Sequence, residues 1–255
     1  MNRALNECQV VVVAGGEGSR LLHRTRGIIP KYLLGIYNEK ILDYVLYPYV
    51  STGLQDYHFL IAKKFLDKTE RHMRRKYRGL NVDYSLEYKK LGKGGAIRKA
   101  LLNGIIDREN PSVVVFGDDI ITMPYLCKRL FRSHAENRVK KRIATLVRVA
   151  ELELEFGMPE VSKRDPTKIV RFVEKPLVNV PASCGTYVAD PGFYDIILKQ
   201  PRVFNTEDKV FPKLARRDLL GAFTMLHKHW LPVNDEKQLE SAERELERLN
   251  ICLNV

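Results

Sequence analysis

The sequence from residue 9 to residue 21 is QVVVVAGGEGSRL. Its run of valines predicts a strand over residues 9–14 that is buried on both faces, as in a parallel sheet covered by helices. Glycines follow at once, at Gly15, Gly16 and Gly18. Because glycine lets backbone N–H groups approach a phosphate closely, strand and turn together indicate a phosphate-binding site at the end of the first strand.

The alternation of short apolar runs with helical patterns continues from this strand. Strands are predicted over residues 57–62, 82–86, 113–116 and 143–147, with helices over 41–50, 65–77, 95–103 and 125–134. This rhythm predicts a three-layer, doubly wound α/β fold with a mostly parallel sheet.

Shorter elements are predicted after residue 149. Strands are expected over 157–161, 168–174 and 184–189, and helices over 192–198 and 207–215, followed by an amphipathic helix over 236–249. No linker rich in Pro, Gly or Ser divides the chain, so residues 1–255 are predicted to form one domain.

Charge and composition narrow the function classes. The net charge is +12, but the basic stretch from Arg71 to Arg78 would spread around a helix as a solvated face, so anionic small molecules are favoured over nucleic acid as partners. No apolar run is long enough for a membrane span, and residues 1–9 lack the apolar core of a secretory signal. A cytoplasmic protein without a membrane partner is expected.

Cysteine and histidine spacings do not indicate a zinc or redox site. The four cysteines, Cys8, Cys127, Cys184 and Cys252, are scattered. His227 and His229 would share one face of a predicted strand, where ordinary packing is favoured over a metal pair because no third ligand lies nearby in sequence.

The glycine turn differs from two common phosphate loops. No Gly-Lys-Ser/Thr follows it, and Leu21 stands where a dinucleotide fingerprint has its third glycine. Downstream, residues 25–36 read TRGIIPKYLLGI. Residues 15–36 together resemble the signature of the sugar-1-phosphate nucleotidyltransferase family, GGxGxRL followed by Thr and Pro-Lys.

This resemblance implies a nucleotide site at the turn, formed by Ala14, Gly15, Gly16, Gly18 and Ser19. It further implies that Arg20 grips the triphosphate and that Lys31 stabilises charge at the phosphorus under attack. His23 stands where many members have proline.

Residues 91–96, LGKGGA, resemble the family's second nucleotide loop, which holds base and ribose. The resemblance therefore adds Gly92, Lys93 and Gly94 to the nucleotide site. Lys93 replaces the usual threonine, and it either contacts the triphosphate or faces solvent.

Glu87 occupies the position from which this family reads the base. An ionised carboxylate only accepts hydrogen bonds, which suits the adjacent N1–H and 2-amino donors of guanine, whereas glutamine suits uracil or thymine. The surrounding pattern resembles the guanylyltransferase branch, so GTP is favoured over UTP. A surface glutamate without a role is the alternative.

Two segments supply the expected Mg²⁺ ligands. Residues 113–119, VVVFGDD, predict a buried strand with a carboxylate at its carboxyl end, where open α/β sheets bind ligands. Asp118 matches the family's magnesium ligand, and the role of Asp119 is open. In WLPVNDE, residues 230–236, Asn234 matches the asparagine that ligates the metal in the acetylglucosamine-phosphate uridylyltransferase branch; a helix cap is its rival role.

Two further segments resemble those that line the family's sugar-phosphate pocket. They are residues 170–176, VRFVEKP, and residues 183–187, SCGTY. By resemblance, Glu174 contacts sugar hydroxyls, Lys175 contacts the sugar phosphate, and Gly157 and Gly185 give backbone contacts. Residues 1–148 would mainly bind nucleotide and residues 149–255 mainly sugar phosphate.

The implied activity is nucleotidyl transfer from a nucleoside triphosphate to a sugar 1-phosphate. The site is expected to contain many cations and few carboxylates. A homodimer is one expected assembly. The alternatives are a uridylyltransferase, a cytidylyltransferase acting on a non-sugar phosphate, and a non-catalytic regulator.

Overall fold

The strands and helices are those of a computed structural model that describes residues 7–16, 18–251 and 253. The strands are β1 (Gln9–Val13), β2 (Gly35–Ile36), β3 (Glu39–Lys40), β4 (Asp56–Ala62), β5 (Asn81–Glu87), β6 (Ser112–Phe116), β7 (Asp119–Ile121), β8 (Ala144–Val149), β9 (Leu152–Glu153), β10 (Met158–Val161), β11 (Ile169–Val173), β12 (Leu177–Val178), β13 (Ala182–Ala189), β14 (Leu220–Met225) and β15 (Trp230–Pro232). The helices are α1 (Leu22–Thr25), α2 (Ile41–Val50), α3 (Leu66–Lys76), α4 (Gly92–Leu102), α5 (Leu126–Val139), α6 (Pro191–Leu198), α7 (Thr206–Lys209), α8 (Phe211–Arg216) and α9 (Glu236–Arg248).

A seven-stranded sheet forms the centre of the described chain, in the order β14-β8-β13-β6-β1-β4-β5. β13 runs antiparallel to β6 and β8, and the remaining pairs are parallel. The valines of β1 pair with β4 on one side and β6 on the other. Burial on both faces explains why β1 and β6 are apolar at every position after the first.

Helices cover both faces of the sheet. Val10 and Val12 pack in one apolar cluster with residues of α2, α5 and α9, whereas Val11 and Val114 pack in a second cluster with residues of α4, α6 and α8. The three-layer, mostly parallel α/β prediction is therefore confirmed. No helix within the described ranges combines the length and hydrophobicity needed to cross a bilayer.

Several elements of the second half differ from the predictions, among them one strand, one helix and one turn. β14 was not predicted, because Gly221 interrupts its apolar pattern; Asn137 packs against this glycine, where a Cβ would lie 2.3 Å from the Asn137 Cγ. The helix predicted over 207–215 is two helices, α7 and α8, with a proline in the first turn of α8.

The third difference concerns His227 and His229. They lie in a 3₁₀ turn and not on a strand, so the prediction that they share a strand face is wrong. The Nδ1 of His227 lies 3.3 Å from the Glu151 carboxylate. Cys8, Cys127 and Cys184 are buried free thiols, and Cys252 lies outside the described residues.

A buried carboxylate connects α2 to α3. Asp43 accepts hydrogen bonds from the His72 ring and the Tyr77 hydroxyl, both at 2.8 Å, and from the backbone N–H of Lys40 at 3.0 Å. Burial by itself raises the pKa of Asp43, but these hydrogen bonds outweigh it and hold the pKa at about 2. The ionised carboxylate therefore stabilises the contact between the two helices.

Substitution of Asp43 by Asn should lower the free energy of unfolding at pH 7 by about 3 kcal/mol, because it leaves buried donors without their charged acceptor. The pKa of Asp43 lies below its usual value of 3.8, so its contribution is complete above about pH 4 and disappears as the pH falls toward about 2. The difference between wild type and variant should shrink over that window. Urea denaturation followed by circular dichroism measures both effects.

Asp67→Asn is the matched control, since this carboxylate is exposed on α3; it should cost about 0.5 kcal/mol or less. Equal stability of wild type and Asp43→Asn at pH 7 would contradict the assignment.

Candidate active site

A cleft of about 540 Å³ opens where β1, β5 and β6 end, at Val13, Glu87 and Phe116. This is the edge at which open α/β sheets bind ligands. Many of the predicted site residues line it: Ala14, Gly15, Gly16, Gly18, Lys31, Glu87, Gly92, Lys93, Asp118, Gly185 and Asn234. Segments more than two hundred positions apart in the sequence therefore share one cleft.

The glycine turn after β1 packs closely against two other lining residues. Gly18 has φ of 62°, and a Cβ there would lie 3.1 Å from the Cβ of Lys31. A Cβ on Gly15 would lie 2.3 Å from the Glu87 carboxylate. Gly15 therefore has to be glycine for the carboxylate to lie against the turn.

Lys31 pairs with the carboxylate of Asp118. Its side chain is only 13% exposed. The following residue fixes the turn that carries it, because the Tyr32 hydroxyl is buried and hydrogen bonded to Thr69 of α3 at 2.7 Å. The stem of the Lys31 side chain thus lies against the glycine turn, and its ammonium group lies beside Asp118 after the end of β6.

Asn234 reaches the same cleft through a backbone connection. The N–H of Val233 donates to the carbonyl of Asp118 at 3.0 Å. The cap of α9 is Asp235, whose carboxylate accepts from the N–H of Gln238 at 3.0 Å. Asp235, and not Asn234, therefore caps the N-terminus of α9.

Asp119 is the half-buried neighbour of Asp118. β7 pairs with β15, and the Trp230 indole N–H donates to the Asp119 carboxylate at 3.1 Å. Burial, and next the adjacent Asp118 charge, raise the pKa of Asp119 to about 7. In this partly desolvated cleft, the ionised carboxylates of Asp118 and Asp119 repel each other.

This donor set fits a magnesium ion. Asp118, Asp119 and Asn234 line the cleft and offer carboxylate and amide oxygens, the hard ligands that Mg²⁺ prefers. The partly buried negative charge at the end of β6 is also what a divalent cation would offset. No cluster of three or more His, Cys, Asp or Glu side chains with metal-binding geometry occurs among the described residues; a Mg²⁺ site with substrate phosphates and water as further ligands does not require one.

Glu87 ends β5 and faces the glycine turn. Its carboxylate accepts from the N–H of Leu91 at 3.3 Å. Burial raises the pKa of Glu87, while the Leu91 N–H and then the Lys99 charge act in the opposite direction. The carboxylate is thus fixed where β5 meets the second glycine loop.

The second glycine loop forms the first turn of α4. A Cβ on Gly92 would lie 2.4 Å from the carbonyl oxygen of Phe204, and Gly94 is buried against the Phe204 ring. Gly94 therefore packs against the chain and does not line the cleft. Lys93 does line it, with its Nζ 2.5 Å from the Glu207 carboxylate.

Five further predicted residues are not among those that line the cleft. Ser19 and Arg20 are exposed in a 3₁₀ turn. The others lie near the β10–β11 hairpin: Gly157 precedes β10 and is packed by the Phe172 ring, while Glu174 and Lys175 are exposed after β11.

The charge balance of the cleft corrects the expectation of many cations and few carboxylates. Among the described residues, the charged side chains of the lining are Lys31, Lys90 and Lys93 against Glu87, Asp118, Asp119 and Glu207. The described lining therefore contains four carboxylates and three lysine ammonium groups.

Several lining residues were not assigned a role from sequence. They are Tyr32, Lys90, Phe116, Ser183, Asn205, Glu207 and Trp230. A signal existed for Trp230, the single tryptophan of the chain, which lies in the quoted 230–236 segment. Asn205 and Glu207 lie in no quoted motif, and only the tertiary fold brings them to the cleft.

Among solved structures, the chain resembles HddC from Yersinia pseudotuberculosis, with a TM-score of 0.66 and 21% identity over 94% of this chain and 99% of that one. At this identity the likeness concerns the fold. Among curated proteins, the mannose-1-phosphate guanyltransferase of Yarrowia lipolytica is 28% identical over 91% of this chain, and the glucose-1-phosphate adenylyltransferase of Kocuria rhizophila is 27% identical over 71% of it. The matched regions span 62% and 48% of the lengths of those two relatives.

The model of the nucleotidyl transferase family matches residues 9–248, which run from the first residue of β1 to the last residue of α9. The match thus includes the glycine turn, Lys31, Asp118 and Asn234, and the chain belongs to the nucleotidyl transferase family.

Proposed function

We propose that the chain transfers a nucleotidyl group from a nucleoside triphosphate, with GTP favoured, to a sugar 1-phosphate, forming a nucleotide sugar and pyrophosphate. The observation that carries the proposal is the shared cleft of the glycine turn, Lys31, Asp118 and Asn234. The relatives' activities on mannose 1-phosphate and glucose 1-phosphate support the acceptor class.

The proposed reaction needs no general base. A sugar phosphate is largely ionised at neutral pH, so one of its oxygens attacks the α-phosphorus directly. A new bond forms between that oxygen and the α-phosphorus, while the bond from the α-phosphorus to the oxygen that bridges to the β-phosphorus breaks. Pyrophosphate leaves with the electron pair.

The main obstacle is the repulsion between two anions. Lys31 supplies positive charge beside the glycine turn, whose N–H groups orient the triphosphate. When bound by Asp118 and Asn234, Mg²⁺ would supply further positive charge against the phosphates. Arg20 on the triphosphate and Lys175 on the acceptor remain part of the proposal. From their positions outside the cleft lining, both side chains would have to move inward on binding.

The two halves of the chain divide these tasks in the proposal. Residues 1–148 carry the glycine loops, Glu87 and Asp118, whereas residues 149–255 carry Gly185 and Asn234. Within one domain, the reacting groups would then meet where the halves join, and positioning would account for the remaining rate enhancement.

The preference for GTP rests on Glu87. Its carboxylate lies against Gly15 and the N–H of Leu91, beside the turn that would hold the triphosphate. As an acceptor without a donor it complements guanine, which offers two adjacent donors. A UTP-dependent enzyme is the second candidate, and a cytidylyltransferase acting on a non-sugar phosphate the third.

Replacing Asp118 by Ala should lower pyrophosphate release by at least about a hundred-fold, because the change removes a metal ligand and the partner of Lys31. The assay crosses four nucleoside triphosphates with a panel of sugar 1-phosphates and measures pyrophosphate. Asp195→Ala, which alters an exposed carboxylate on α6, should retain wild-type turnover. Unchanged turnover in a folded Asp118→Ala protein would contradict the proposal.

The Glu87→Gln variant tests base choice. Because glutamine replaces one acceptor by a donor, we expect the ratio of kcat/KM for GTP to that for UTP to fall about tenfold. Glu136→Gln on α5 is the control for loss of a surface charge. An unchanged ratio would remove Glu87 from base recognition.

A further inference from the structure

Lys93 is held in the cleft by two contacts of different kinds. Its Nζ lies 2.5 Å from the Glu207 carboxylate and 3.9 Å from the centroid of the Phe116 ring. An ammonium group over an aromatic face is attracted by the ring's negative potential. The side chain therefore lies along the cleft wall, with 43% of its surface exposed.

Contacts connect this ammonium to the acceptor side of the cleft. A Cβ on Gly185 would lie 2.4 Å from the Phe116 ring and 3.0 Å from the Asp119 carboxylate. Lys93, Phe116, Gly185 and Asp119 thus form a continuous wall, and Gly185 is one of the two glycines expected to give backbone contacts in the sugar-phosphate pocket. By contrast, Glu87 lies against Gly15 in the glycine turn.

The lysine expected to bind the acceptor's phosphate lies elsewhere. Lys175 is exposed after β11 and is not among the cleft-lining residues. Among the lining lysines in the described chain, Lys31 pairs with Asp118, and Lys93 contacts the Phe116 ring of this wall. Lys93 therefore offers a cation within the cleft without the inward movement that Lys175 would require.

The pairing with Glu207 does not prevent such a contact. The two side chains are 43% and 36% exposed, and exposed ion pairs contribute only about 0–1 kcal/mol. An ammonium group has three donors, so Lys93 can bind a phosphate oxygen while it keeps one contact to Glu207. Glu207 is itself fixed by the Thr206 hydroxyl, which donates to it at 2.9 Å.

We propose that Lys93 binds the phosphate monoester of the acceptor and that Glu207 is a positioning residue that holds the Lys93 ammonium against the Phe116 ring. This assignment rests on the proposed function, because it names the substrate group that Lys93 contacts in the same cleft. It also gives a role to the lysine that replaces the family's usual threonine.

The test uses Lys93→Met, which keeps the length of the side chain and removes its charge. With the most active acceptor, the KM for the sugar phosphate should rise about ten- to a hundred-fold, while the KM for the nucleoside triphosphate stays within about twofold. Inorganic phosphate, competing with the acceptor, should inhibit the variant more weakly by a similar factor. Lys93→Arg should restore most of the acceptor KM.

Glu207→Gln distinguishes positioning from a general structural effect. Alone, it should raise the acceptor KM by a smaller factor than Lys93→Met, and in the Lys93→Met background it should have no further effect. Lys209→Met is the matched control, because it removes an exposed charge from the same helix as Glu207. Thermal unfolding checks that each variant is folded.

Other outcomes would overturn the assignment. A rise in the KM for the nucleoside triphosphate would place Lys93 at the triphosphate, and two unchanged KM values would mean that it binds neither substrate. If the wild-type chain releases no pyrophosphate with any substrate pair, the proposed function fails. In that case, phosphorus NMR titration with inorganic phosphate tests the Lys93 contact separately from the activity. Equal phosphate affinity in wild type and Lys93→Met, or no binding in either, would contradict the phosphate contact.

Discussion

Two consecutive carboxylates at the end of one buried strand set the electrostatics of the cleft. Asp118 and Asp119 follow β6, whose residues are fully enclosed by the sheet and its helices. Like charges so close together must be offset by neighbours. Lys31 pairs with the first, and the Trp230 indole donates to the second. Much of the surrounding structure can be understood as the support for these two contacts.

The fold provides that support from separate parts of the chain. Tyr32 and Thr69 connect the Lys31 turn to α3, and the β7–β15 pairing brings the segment of Trp230 and Asn234 to the end of β6. Glu236, at the start of α9, also pairs with Arg24 of α1. Lys31, the Asp118–Asp119 pair and Asn234 are therefore held by elements that pack on the same sheet. This arrangement favours charges that are preorganised before substrate binds.

The strands buried on both faces were predictable because continuous apolar runs have no other place in an α/β protein. β1 and β6 agree with their predicted ranges to within one residue at each end. The cleft-facing glycines, Lys31, Asp118 and Asn234 were found from motif resemblance. Residues whose position depends on long-range packing were not, and Asn205 and Glu207 are the clearest cases. Gly94 resembles a ligand contact in sequence but packs against Phe204, since a motif does not specify which of its glycines faces the ligand.

The central claim is that the glycine turn, Lys31, the acidic pair and Asn234 surround one triphosphate. A crystal structure with Mg²⁺ and a non-hydrolysable GTP analogue tests it most directly. The account predicts phosphates along the glycine turn, the Lys31 ammonium turned toward them, and a metal ion ligated by Asp118 and Asn234. A triphosphate bound outside this cleft, or a metal ion that contacts neither residue, would contradict it.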